Sequence, residues 1–177
     1  MILVLVSPRD VFAAMRDDSD AAAGPRSEAV LALVILSGIA AVLWAPRYGT
    51  LLDDVANDGL NVAVIAFIGG ALYGAFGYFV GGVVVYGLTR AFGGITFRQA
   101  RHVLAFASAP IALSLFAVWP VRLAVYGQDV FRSGGSDHGP GNAAFVAVEL
   151  VFVAWSVALL VIGLHAVLRR QPRLERL

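Results

Sequence analysis

The sequence contains no cysteine and no lysine. The first absence excludes disulfides, thiol nucleophiles and cysteine-ligated metals. The second leaves arginine as the only basic residue of its class, 13 in all. With abundant Ala, Val and Gly, that usage marks a GC-rich prokaryotic genome. Charge of either sign is scarce: 14% of the 177 residues are charged and 59% are apolar, against about 25% and ~45–50% in soluble domains. A water-soluble globule of this size has too little polar surface to cover so much apolar material. The composition therefore predicts an integral membrane protein. Two aspartate-rich stretches, MRDDSD and LLDDVANDG, are the only halophile-like feature.

Chemical motifs are also missing. There is no G-x-S-x-G, P-loop or G-x-G-x-x-G, and no Ser/His/acid or paired-carboxylate arrangement. Asp129, Asp137 and His138 lie in a glycine-rich loop and are too few for a metal site. The sequence predicts no enzyme, no cofactor and no metal, and the net charge of +1 gives no ground for nucleic-acid binding. The opening MILVLV has no basic n-region and no A-x-A site after it, so it does not resemble a signal peptide.

What is present is a set of long apolar runs. Residues 29–45, 60–91, 102–127 and 143–168 each approach or exceed the ~17–25 residues that span a bilayer. The expected fold is an all-α polytopic bundle of about four spans in one membrane domain. As a single helix the second run measures about 48 Å at 1.5 Å per residue, more than the ~30 Å hydrocarbon core. It must tilt, protrude or bend, with Gly81-Gly82 the expected bending point. Ten arginines fall in the N-terminal segment, the second loop and the C-terminal tail; only Arg47, Arg122 and Arg132 fall on the other side. The positive-inside rule then places both termini and the second loop in the cytoplasm.

Local signals refine this picture. Ser7-Pro8-Arg9-Asp10 reads as a helix start, and Val11, Phe12 and Met15 share one face. The reading is an amphipathic helix over 7–20 on the membrane surface. In the second span Gly70, Gly74, Gly77 and Gly81 recur at helical spacing, a small-residue stripe suited to close helix packing. It is expected to pack within the molecule rather than form a dimer face. Gly93-Gly94 ends that span, and Thr96-Phe97-Arg98-Gln99 is a capping box that starts the next helix at once.

Arg98, Arg101 and His102 follow in its first turns, where cations oppose the helix dipole. They are read first as cytoplasmic anchors, and more sharply as an anion, lipid or partner-binding site. Pro110 and Pro120 kink the third span. Ser108 or Ser114 is expected to compensate for the carbonyl of Phe106 that Pro110 frees. Glu149, deep in the fourth span, is expected to pair with Arg122 at comparable depth. His165 is read as a packing or interfacial residue.

Pro8 and Phe12 before the first span, Gly93-Gly94, Thr96 to Ala100 and Val103 to Pro110 together resemble the Yip family. These are multi-pass membrane proteins whose eukaryotic members bind Rab GTPases in vesicle traffic. The family typically carries five spans; this sequence supplies four. The resemblance implies a helical membrane module acting through lipids, a cytoplasmic or membrane protein partner, or a second copy of itself, rather than by chemistry. The expected setting is a prokaryotic cytoplasmic membrane. The alternative is a small-solute transporter or channel component built on the broken third span with Arg122 and Glu149.

Overall fold

The computed structural model describes residues 2–54, 58–136 and 140–168. It is an all-α polytopic bundle; no strand occurs among the described residues. Two short helices, α1 (Ile2–Val6) and α2 (Pro8–Ala14), precede α3 (Asp20–Leu43) and α4 (Gly59–Thr89). The third span is divided into α5 (Phe97–Ala107), α6 (Ala109–Ala117) and α7 (Trp119–Tyr126), and α8 (Pro140–Leu168) closes the described chain. Four stretches are long and apolar enough to cross a membrane. They expose bulky side chains such as Leu60, Phe67, Leu72, Phe76, Val83 and Val151, an exterior suited to lipid rather than water.

The third span is the centre of the bundle. Of its most apolar window 56% is buried, against 17–22% for the other three. Val103, Ala105, Phe106, Ala109 and Ala112 form its core face. Its two breaks fall where the prolines require them. Pro110 and Pro120 each sit in the first turn of a new helix, where a missing N–H costs nothing. The expected serine compensation takes another form: Ser108 Oγ donates to Ala105 O and Ser114 Oγ to Ile111 O, each at 2.8 Å, not to Phe106.

The second span runs as one helix through Gly81-Gly82, so the expected bending point is not a break. Those glycines receive side chains of α5 instead. A Cβ on Gly81 would lie 2.6 Å from Leu104, and one on Gly82 would strike the Arg101 stem. Gly70 and Gly74 face α3: a Cβ on Gly70 would lie 2.5 Å from Ile39, and one on Gly74 would meet the Val34 carbonyl. Gly38 of α3 answers them, with no space for a Cβ against Gly70 and Gly74. Gly77, the fourth residue of the stripe, faces open space.

The first span begins earlier than expected. Ser19 caps α3 by accepting from Ala22 N, so Gly24-Pro25 lies inside the helix, where Pro25 removes one i→i−4 hydrogen bond. The amphipathic segment differs more. It ends at Ala14, and its apolar face is inside the protein rather than flat on a membrane: Phe12 and Met15 are fully buried. Gly163 of α8 leaves the notch that admits the ring, with Phe12 2.9 Å from a hypothetical Cβ there. Ser7 makes no side-chain cap; its N–H bonds Leu3 O and its carbonyl accepts from Val11, so α2 follows α1 almost directly.

Candidate functional site

The hairpin between α4 and α5 is built as its sequence dictates. Gly93 and Gly94 adopt φ of +108° and +76°, a region that only glycine enters cheaply, and Gly94 N–H bonds the Thr89 carbonyl at 3.0 Å. Thr96 and Gln99 form the full capping box. The Gln99 amide also donates to Met15 O and Arg16 O, at 3.1 and 3.2 Å, so one side chain closes the start of α5 and the end of α2.

Arg98 is held in the same join. It bonds Asp18 at 2.8 Å and Asp20 at 2.6 Å, and also reaches the Asp18 carbonyl; Thr96 Oγ1 donates to Asp18 at 2.6 Å. The cation that should oppose the α5 dipole is thus neutralised by Asp18 of the α2–α3 connection and Asp20, the first residue of α3. The neighbouring Asp17 carboxyl lies below its ordinary value of 3.8, because Ser19 hydrogen-bonds it.

Arg101 and His102 do not join Arg98. The Arg101 guanidinium lies over Phe97, Phe79 and Tyr78, at 4.5, 5.0 and 5.1 Å from the ring centroids. This is a cation–π box at the α4–α5 packing seam. His102 is buried. The expected three-residue anion site is therefore not assembled: one cation is spent on acids, one on aromatics, and the histidine faces inward.

A different basic surface forms between α2 and α8. Arg9, Arg16 and His165 line a groove of about 470 Å³ over Val161, Ile162 and Ala166, with Asp10 beside them. Arg16 Nε also holds the Ala166 carbonyl near the end of α8, at 2.7 Å.

Within the bundle, Arg122 and Glu149 approach to 3.9 Å with both side chains buried. The pairing expected from depth is thus present, in a loose form. Arg122 is held more closely by Asn142, at 3.0 Å, and rests on the Trp119 ring at 5.1 Å. Neither Glu149 oxygen makes a hydrogen bond of normal geometry. Among the described residues no cluster of three or more His, Asp or Glu has the arrangement of a metal site.

Sequence reasoning missed Asp18 and Asp20, which stood in view as the MRDDSD acidic run. It also missed Asn142, Gly38 and Gly163, which carry no local signal. No curated protein and no solved structure matches the chain. The model of the Yip1 domain matches residues 2–175, nearly the whole sequence, and the chain belongs to the Yip1 domain family.

Proposed function

We propose that this Yip1-domain protein is a non-catalytic membrane module that organises its membrane by binding anionic lipid or an acidic partner through its cytoplasmic face. The observation that carries this reading is the groove between α2 and α8. Two arginines and a histidine stand over an apolar floor, and that pairing suits a phosphate-bearing headgroup with a chain lying beneath it. The end of the bundle that carries the groove is tied together by Gln99, Arg98 and Arg16, so it presents a built surface rather than loose tails. Family membership supports the non-catalytic, membrane-embedded part of the reading.

Native mass spectrometry of the purified protein with phosphatidylglycerol and phosphatidylcholine tests it. Arg9 is exposed and makes no side-chain hydrogen bond or ion pair among the described residues, so Arg9→Gln should lower phosphatidylglycerol occupancy several-fold and leave phosphatidylcholine unchanged. A photo-crosslinker at Arg9 in native membranes identifies any protein partner. Equal occupancy in wild type and variant, with no crosslink above background, would reject the proposal.

A further inference from the structure

A second cavity, of about 240 Å³, opens among α3, α4, α6, α7 and α8. Glu149, Trp44, Tyr73, Trp119, Phe152 and Ser114 line it. Among the described residues Glu149 is the only charged one on its wall, and Arg122 is not part of that wall. We infer that this cavity is a binding site for a small ammonium group, held between the Glu149 carboxylate and the surrounding aromatic faces.

Four observations converge on that chemistry. First, Glu149 is only 5% exposed. The Trp44 indole approaches it, yet neither carboxylate oxygen has a hydrogen bond of normal geometry. A buried carboxylate with no donor at normal hydrogen-bond geometry is costly, and Coulomb attraction to one cation does not offset that cost unless hydrogen bonds complete it. Second, the cation paired with it is aimed mainly elsewhere. Arg122 meets Asn142 at 3.0 Å and Glu149 only at 3.9 Å, which leaves carboxylate acceptor positions for a donor arriving from the cavity. Third, the other walls are aromatic, and ring faces attract a desolvated ammonium. Arg122 already occupies a face of Trp119 and Trp155 stacks on Phe152, so Trp44 and Tyr73 are the rings whose faces chiefly serve a ligand. Fourth, the volume admits a molecule of several heavy atoms, given about 30 Å³ for one water.

Competing ligand classes fit less well. An anion would meet a carboxylate and no cation on the wall. A hard metal ion needs six or more oxygens; the wall offers one carboxylate and the Ser114 hydroxyl, which donates to Ile111. Glu149 stands nine residues into α8, roughly 13 Å along its axis. The cavity therefore lies nearer the end of the bundle where α8 begins. That location suits a free amine from solution and the amine of a phosphatidylethanolamine headgroup alike.

The test uses the full chain in dodecyl maltoside, carrying Trp155→Phe to remove emission from outside the cavity. Trp44 and Trp119 then report on n-butylammonium and on n-butanol, its uncharged counterpart. Butylammonium should saturate the emission change at a concentration at least about 10-fold below butanol. Glu149→Gln should raise the butylammonium midpoint about 10-fold and leave butanol unchanged. Tyr73 is 57% exposed, so Tyr73→Leu is a safe second variant; it should raise the same midpoint about 3-fold. Added phosphatidylethanolamine that shifts the butylammonium curve to higher concentration identifies the headgroup amine as the ligand. No shift identifies a free amine. Equal midpoints for butylammonium and butanol, or a butylammonium midpoint unmoved by both variants, overturn the inference.

Discussion

Arg122 and Glu149 are opposite charges set 3.9 Å apart inside a lipid-facing bundle, and their energetics follow from what each loses if the other is removed. Arg122→Met strands a buried carboxylate, which should cost about 3–5 kcal/mol. Replacing both, as Arg122→Met with Glu149→Leu, removes two desolvated charges together and should recover most of that loss. Melting of the two single variants and the double variant in detergent closes the cycle. A double variant no more stable than Arg122→Met alone would mean that the pair holds the helices through its charges. The contact itself was legible in the sequence, because matched depth in two spans leaves a carboxylate few other partners. Its looseness was not: Asn142 lies 20 residues beyond Arg122 and gives no periodic signal, yet it takes the guanidinium more closely.

Helices α3 and α4 meet through glycines, and the structure sorts a stripe that looks uniform in sequence. Gly74 has Val34 backbone against it, whereas Gly77 has nothing within 4 Å. Without a hydrophobic driving force between helices in lipid, such close approach is what binds them. Gly74→Ala should therefore reduce folded yield and melting temperature, while Gly77→Ala should match wild type in both. Equal losses would place the stripe on some other surface, such as a dimer face. Elements that depend on neighbours in sequence were readable: the Thr96–Gln99 capping box, the glycine turn before it and the proline breaks all form where their residues stand. Helix α2 was not. Its amphipathic pattern is the same whether the apolar face meets lipid or protein, and Gly163, far along the chain, decides between them by leaving room for Phe12.

Orientation belongs to the whole molecule. Contacts of Arg98 with Asp20, Thr96 with Asp18 and Arg16 with Ala166 gather the starts of α3 and α5 and the end of α8 at one end. Asp53 receives Ser133 N–H at 2.9 Å at the other. Among the described residues Arg9, Arg16, Arg26, Arg90, Arg98 and Arg101 lie toward the first end, and from the positive-inside rule we propose that this end faces the cytoplasm. The absence of cysteine makes the assignment directly measurable, because any thiol introduced is the only one present. Phe92 is 74% exposed in the turn between α4 and α5, and Ser136 is exposed in the loop after α7. In right-side-out vesicles a membrane-impermeant maleimide should label Ser136→Cys at once and Phe92→Cys only after permeabilisation. The reverse pattern would turn the molecule over. It would place the α2–α8 groove outside the cell, beyond reach of any cytoplasmic partner, and the proposal built on that groove would fall with it.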